Sequence, residues 1–460
     1  MANVLQTAPQ DWKYVSEGGA TIVFSYVGPS QPALDGMVLR LRKTALSAAN
    51  LVHEVREWDF DSADPEDEPD DPSIEYQVKC MQRLIPAEHL PRLQTVTIRR
   101  SWLEAFSVFH NPARPEGRRI VDEVDLTKKK GVLATDLVGG HWLAVEIKPK
   151  WAFLASPTYL SDETKGVKTQ TCRFCMHTHL RTQQGSQEIT EYCPLDLFSG
   201  DECRILKAIH SLWNAWVASN ATINNLKIFA EGKFLTPSEC QLMFADRHAA
   251  GLDLKAIGDA FASTLIQPLL RTPLLRILSD LQRNLDPLDI EGLSKLWKLT
   301  ESTIAMQTLQ GSDSVPPYTP LGGRSPFFQS AEPHISEWID FLDTYGSTDR
   351  PDAANVKPSP EDLRYFLLAY LLSATFKDCS VVVKLDFLQP YPQSTGTISS
   401  DSVTVIDLDP KKMSKLKGWE KLDAEIVRAY ALANQKTCID AWKSPQSVSS
   451  SQLTVPNRLS

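Results

Sequence analysis

Tyr365-Phe366-Leu367-Leu368-Ala369-Tyr370-Leu371-Leu372-Ser373-Ala374-Thr375-Phe376-Lys377-Asp378-Cys379-Ser380-Val381-Val382-Val383-Lys384-Leu385 decides the fold. Ser359-Pro360-Glu361-Asp362 starts a helix before it, with a capping serine, proline at the first helical position and acids in the first turn. The apolar body from Leu363 to Phe376 predicts a buried helix, too short to span a bilayer. Cys379 to Phe387 then reads as a strand, a Pro/Ser/Gly/Thr-rich loop follows, and Ser402 to Leu408 reads as a second strand. Paired antiparallel, the start of the first strand lies beside the end of the second. Asp378 and Asp407 then meet at one mouth of a sheet. Taken alone, both are also ordinary turn residues at strand ends. Together they suit phosphoryl transfer, where one carboxylate takes or orients a hydroxyl proton and another holds Mg²⁺.

Val145-Glu146-Ile147-Lys148-Pro149-Lys150 reads as another strand. Val145 and Ile147 alternate with Glu146 and Lys148, so the charges share the face opposite the apolar pair. Pro149 ends the ladder. Charges inside a strand need a polar cleft or an exposed edge. Two lysines at one strand end suit an anionic, phosphorylated ligand.

The chain has 460 residues, enough for two lobes with sizeable cores. Its N-terminus has no basic region followed by an apolar run, so no secretory signal is expected. Eight cysteines without regular spacing suggest thiols in a reducing compartment. The formal net charge is −9, which argues against broad nucleic-acid binding. Much of the acid lies in one run from Asp59 to Glu75, read as a self-repelling, disordered insert.

Ala20 to Val27 and Met37 to Arg42 read as paired strands, with Glu17-Gly18-Gly19 just ahead of them. The order is strand-turn-strand, unlike the strand-loop-helix of a Walker loop. Ser199-Gly200-Asp201-Glu202 predicts a helix through Trp216, with Ser199 and Glu202 as a capping box. Residues 245 to 306 have helical spacing, Gln310 to Arg324 reads as a loop, and Ile335 to Tyr345 as a short helix. The tail beyond Ser444 is Ser/Gln-rich and expected to be disordered.

Several segments, in order, resemble the inositol-pentakisphosphate 2-kinases, which make inositol hexakisphosphate. They are Glu17-Gly18-Gly19-Ala20, Glu146-Ile147-Lys148-Pro149-Lys150, Cys172-Arg173-Phe174-Cys175-Met176-His177, Pro194-Leu195-Asp196-Leu197-Phe198-Ser199-Gly200, Asn224-Asn225, Lys377-Asp378-Cys379-Ser380 and Ile406-Asp407-Leu408-Asp409. The resemblance implies a fungal-type member with ATP and Mg²⁺ as cofactors and inositol pentakisphosphate as partner substrate. It implies an α+β, two-lobed protein-kinase-like fold of the inositol-polyphosphate-kinase type. An N-terminal antiparallel-sheet lobe would cover 1–135, with the acidic insert near 59–75. A larger mixed α/β C-terminal lobe would cover 136–444, and 445–460 the tail. A monomer in the nucleus and/or cytoplasm is expected, without membrane or nucleic-acid partners.

Residue by residue, the resemblance makes Asp378 the catalytic base and Lys148 the stabiliser of the transferring phosphoryl group. Asp407, helped by Asp409, would hold Mg²⁺. Gly18, Gly19 and Ala20 would cover the nucleotide, with Arg40, Glu146 and Lys227 touching it and adenine near Leu133 to Leu137. Lys150, Arg173, His177, Arg181, Asn224, Lys411 and Lys415 match inositide contacts. Arg173, His177 and Arg181 are four apart and so could share a helical face, and Lys411 and Lys415 repeat that spacing. Seen singly, each basic stripe is also an ordinary solvated face. Arg118 is assigned to the inositide as well, although Gly117 stands where plant members have Trp. Trp419 replaces a plant Tyr.

Some members hold structural zinc by two Cys and two His in the C-terminal half. No cysteine lies between Cys240 and Cys379 here, so that site is not carried over. Cys172, Cys175, His177 and His179 have ligand chemistry, but a zinc knuckle pairs two such clusters and the sequence shows no second one. The expectation is therefore against a metal there. Two competing readings remain: a kinase of another small phosphorylated substrate, and an inositide-binding scaffold without turnover.

Overall fold

The computed structural model describes residues 3–46, 68–140, 142–186, 190–245, 253–309, 332–348, 350–385, 403–433 and 436–442. Gln310 to Arg324 and the tail from 443 lie outside the described residues. The described chain is a mixed α+β protein built on two antiparallel sheets.

The first sheet runs in the order β1 (Trp12–Glu17), β2 (Thr21–Tyr26), β3 (Met37–Ala45), β6 (Lys130–Thr135), β4 (Leu93–Thr97), with β5 (Asp122–Val124) also on β3. Leu39 and Leu41 face a core with Ile22, Phe24 and Phe106, while Arg40 is half-buried on the opposite face. The second sheet is β11 (Val403–Ile406), β10 (Ser380–Leu385), β7 (Leu143–Ile147), β8 (Leu226–Ala230) and β9 (Lys233–Phe234). Residues 136–142 join the sheets. Asp136 holds this connection: Ser25 Oγ donates to its Oδ2 at 2.6 Å, and Val138 N and Gly139 N donate to Oδ1. A Cβ on Gly139 would meet the Asp136 carboxylate at 2.2 Å, so only glycine fits.

The expected helix is present as Leu363–Asp378, entered through a short 3₁₀ turn over Pro360–Asp362 that Ser359 and Asp362 cap reciprocally. It is buried along its length and packs on Leu274–Asn284 and Asp289–Leu309. Ile335–Gly346 is helical, as expected.

Two expectations change. The helix after Ser199 begins at Glu202, and its cap is Asp201, which accepts from Arg204 N at 2.9 Å. Ser199 Oγ turns back to Asp196 O instead, because Gly200 with φ 72° redirects the chain between them. The acidic run is also not loop throughout. Residues 47–67 lie outside the described residues, but from Glu68 on the run is docked. Lys129 N donates to Glu68, Lys130 pairs with Asp70, and Arg42 pairs with Asp71. Asp71 also caps the Pro72–Lys79 helix, whose Tyr76 enters the largest core cluster. Opposite charge on Arg42, Lys128 and Lys130 offsets the self-repulsion read from the run alone.

Candidate functional site

The site forms where three strands of the second sheet end together. β7 is central, with Glu146 opposite Val382 of β10 and Lys227 of β8. Val145 and Ile147 are fully buried, which turns Glu146 and Lys148 to the other face, as the alternation requires. Ser380 pairs with Ile406, so the residues beyond that pair, Asp378 and Asp407, leave the sheet at one end. Asp407 has φ 61°, a left-handed backbone that ends β11 and that Asp tolerates better than most residues.

Three lysines converge on these carboxylates. Lys148 Nζ lies 3.0 Å from Asp407 Oδ2 and 3.5 Å from the Asp378 carbonyl. Lys150 Nζ lies 3.0 Å from Asp378 Oδ1, and Lys411 Nζ 2.7 Å from Oδ2. Burial acts to raise the Asp378 pKa, but the Lys411 hydrogen bond and the charges of Lys150 and Lys411 outweigh it and bring it down to about 2. Burial acts to lower that of Lys148, and the Asp407 charge keeps it above the ordinary lysine value. Glu146 receives Lys227 Nζ at 3.3 Å and Ser380 Oγ at 2.9 Å. The Ser380 hydroxyl also lies 3.2 Å from Asp407 Oδ2, linking the two carboxylates.

Sequence reasoning missed the parts that hold this geometry. Lys150 has φ 68°, a strained conformation for a lysine. Asn225 clamps the strand end before it: Asn225 Nδ2 donates to Lys148 O, and Lys148 N donates to Asn225 O. Gln282, with no exposed surface, donates to Lys150 O and Phe376 O and accepts from Ala152 N. One amide thus fixes the two segments that carry Lys150 and Asp378. No local pattern marks it, because its partners are far away in sequence.

Arg173, His177 and Arg181 lie on the Arg173–Gln183 helix, as the spacing predicts. Arg173 donates to Asp423 at 2.8 Å and stacks over Trp151 at 4.9 Å. Burial and the charges of Arg173, Arg181 and Lys150 push the His177 pKa down to about 4, so these four share one electropositive neighbourhood. Lys411 and Lys415 are not a turn apart on one helix. Lys411 lies in the loop after Asp409, while Lys415 ends a 3₁₀ turn over Met413–Lys415, exposed where Leu416–Ala431 begins. The cap at Lys412, with extended backbone, separates Lys411 from the turn that Lys415 ends. Asn224 is exposed beside the clamping Asn225, and Arg118 is exposed on Glu116–Arg119.

Gly18 and Gly19 form the β1–β2 turn, with open space where a Cβ would stand. The turn rests on a buried ion network: Glu17 accepts from Arg114 at 2.8 Å and Lys43 at 3.1 Å, and both cations also bind Asp122. Leu133 is fully buried in the first-sheet core, so its side chain does not line a cleft.

Asp407 is exposed, and its hard carboxylate oxygens suit Mg²⁺, which typically binds through one or two carboxylates plus substrate phosphates. Asp409 is exposed two residues on, and its carbonyl accepts from Thr375 Oγ1.

The family model for inositol-pentakisphosphate 2-kinase matches residues 14–425, a span holding every residue of the site. This chain belongs to the inositol-pentakisphosphate 2-kinase family. A Cryptococcus neoformans inositol-pentakisphosphate 2-kinase is 32% identical over 435 residues, covering 91% of this chain and 93% of the relative. A rice relative of that name is 27% identical over 92% of this chain and 93% of its own, and a Danio rerio one 26% over 92% and 94%. Lys148, Lys150, Asp378 and Asp407 stand together at one end of the second sheet in this chain.

Proposed function

We propose that this protein transfers the γ-phosphoryl group of ATP to the 2-hydroxyl of an inositol pentakisphosphate, giving inositol hexakisphosphate. The observation that carries the reading is Asp378, an ionised carboxylate held by two lysines two residues before Ser380, whose partner Ile406 in the β10–β11 pair leads to Asp407. ATP would lie between the two sheets, as between the lobes of a protein kinase. The Gly18–Ala20 turn would lie over its phosphates, and Arg40, Glu146 and Lys227 would line the nucleotide side.

The substrate has about ten negative charges near neutral pH. Lys150 after β7, the Arg173–Gln183 helix with Arg173, His177 and Arg181, and the stretch with Lys411 and Lys415 suit such a dispersed anion, with Asn224 and Arg118 at its rim. Lys150 and Lys411 hold both Asp378 oxygens in the free chain. Phosphates drawing those cations away would free one oxygen to take the 2-hydroxyl proton. Lys148 stands where charge builds on the transferring group. Asp407 and Asp409 would hold Mg²⁺, which neutralises phosphate charge when bound.

The test is incubation with ATP, Mg²⁺ and inositol pentakisphosphate lacking the 2-phosphate, with the product's new phosphate located by NMR. ATP consumption with phosphate at the 2-position is expected. Inositide binding without ATP consumption would leave a scaffold instead.

A further inference from the structure

Two pairs of consecutive residues meet at the catalytic end of the second sheet. Lys150 Nζ lies 3.0 Å from Asp378, and the adjoining residues, Trp151 and Lys377, also touch: Lys377 Nζ is 4.1 Å from the centre of the Trp151 ring. The rings of Tyr370 and Phe153 lie 5.0 and 5.1 Å from the same ammonium. Its charge partner is Asp286, whose Oδ2 accepts from Nζ at 2.5 Å. The Lys377 and Asp286 side chains keep only 3% and 2% of their surface, so neither can reach a substrate.

Such a pair is a weak source of stability. Burying two charges removes hydration that their attraction barely returns, and packed apolar residues of similar volume often serve a fold as well. Asp286 Oδ1 also has no hydrogen-bond partner among the described residues, which adds to the cost. What the pair does is fix a cation at the residue before Asp378 and seat the Trp151 ring against it. The same ring carries the Arg173 guanidinium, with Cζ 4.9 Å from its centre. Arg173 Nε donates to Asp423 Oδ1 at 2.8 Å, and Asp423 Oδ2 accepts from Lys168 Nζ at 2.8 Å. With Nε and a face so engaged, the Nη edge of Arg173 is the part suited to a phosphate.

We propose that Trp151 is a positioning residue for the reaction: its ring holds the segment of Asp378, through Lys377, in fixed relation to Arg173, so that base and inositide phosphates meet in one geometry. This rests on the reading of Asp378 as the base and Arg173 as an inositide contact. Trp151 itself acts through these neighbours, on no reacting atom. The attraction comes from the π face, so an aliphatic side chain of similar bulk would not replace it.

The test compares Trp151→Phe and Trp151→Leu with the wild type in the full chain, by steady-state kinetics for both substrates and by calorimetry of inositol pentakisphosphate binding without nucleotide. Trp151→Leu should lower kcat by about 10- to 100-fold and weaken inositide binding, with KM for ATP within about two-fold. Trp151→Phe keeps a ring face and should recover most of both losses. A merely structural role would lower stability and the active fraction, with inositide Kd unchanged. The leucine variant can fail to fold, so the phenylalanine variant carries a second measurement. The fluorescence difference between wild type and Trp151→Phe reports this one indole, and it should change as inositol pentakisphosphate saturates the site, because the phosphates draw on the arginine stacked over it. Wild-type protein that neither binds inositol pentakisphosphate nor consumes ATP with it would remove the functional reading and the proposal together. With an active wild type, a Trp151→Leu variant of unchanged inositide Kd, equal losses in both variants, parallel losses of ATP and inositide affinity, or a difference fluorescence unmoved by saturating inositide would each overturn the proposal alone.

Discussion

Lys411 Nζ stands 2.7 Å from Oδ2 of Asp378, while Lys150 occupies Oδ1 at 3.0 Å. The proposed base is thus fully engaged by the side chains proposed to bind substrate. Such an arrangement keeps Asp378 ionised and couples its release to the arrival of stronger anions.

Asp378→Asn should reduce kcat by about 100- to 10,000-fold while leaving inositide and ATP binding within a few-fold. The amide keeps the shape and cannot accept a proton. Near-normal turnover in single-turnover assays would remove Asp378 from the mechanism. The pH dependence has a defined sign. The folded pKa, about 2, lies below the ordinary 3.8, so the ionised pairing stabilises the fold above that ordinary value. This contribution is lost as pH falls from about 4 towards 2. Acid unfolding curves should show that loss in the wild type and not in the variant.

The β1–β2 turn gives a second prediction. Arg114, Lys43 and Glu17 each keep only 2% of their side-chain surface, so their charges depend on each other. Arg114→Ala leaves Glu17 and Asp122 short of a buried cation and should destabilise the protein by about 3–5 kcal/mol. Because Glu17 leads into Gly18, KM for ATP should rise more than KM for inositide. Denaturant titration and steady-state kinetics measure the two effects, and Arg118→Ala, at an exposed position, should leave stability nearly unchanged.

How much of this was legible depends on the range of each signal. The helix-Asp-hairpin-Asp order could be read because its cues are local: the cap at Ser359, the apolar run, and the alternation in β10 and β11. Alternation likewise set the face of Glu146 and Lys148. The Arg114–Glu17 pair spans 97 residues and Gln282 reaches Lys150 across 132, so neither leaves a periodic trace. A neighbouring choice also failed where one residue's backbone decides: Asp201 displaced Ser199 as cap because of Gly200. The clamp of Asn225 on Lys148 O left no local trace either. Composition misled at Glu68 to Asp71, whose charge looked unpaired until Arg42 and Lys130 met it.

That docked stretch supports a third prediction. Asp71 caps a helix and receives Arg42 at 2.8 Å, and its hydrogen bonds to Ser73 and the Arg42 charge overcome burial to hold its pKa below the usual carboxylate value. Asp71→Ala should destabilise by about 1–2 kcal/mol. Asp70→Ala, an exposed pair, should change stability by less than about 1 kcal/mol. The Asp71 contribution should fade as pH falls below the ordinary carboxylate value, because protonation removes the charge that Arg42 needs. Equal and negligible effects of the two variants in chemical denaturation would show that the stretch is not held.

The last prediction separates the two lysines once read as a pair. Lys411 touches Asp378, whereas Lys415 is exposed at the start of Leu416–Ala431. Lys411→Ala removes both a proposed phosphate contact and the strongest influence lowering the Asp378 pKa. It should therefore weaken inositide binding and also alter kcat, with the acid limb of kcat/KM moving to higher pH. Lys415→Ala removes only a proposed phosphate contact and should raise inositide KM with kcat and the pH profile unchanged. Neither variant should change ATP affinity by more than a few-fold. Raising ionic strength should weaken inositide binding in the wild type and less so in each variant, since one fewer cation faces the polyanion. Titration calorimetry for each ligand and pH-rate profiles distinguish the outcomes. Identical profiles for the two variants, or parallel losses of ATP and inositide affinity, would show that Lys411 does not act through Asp378.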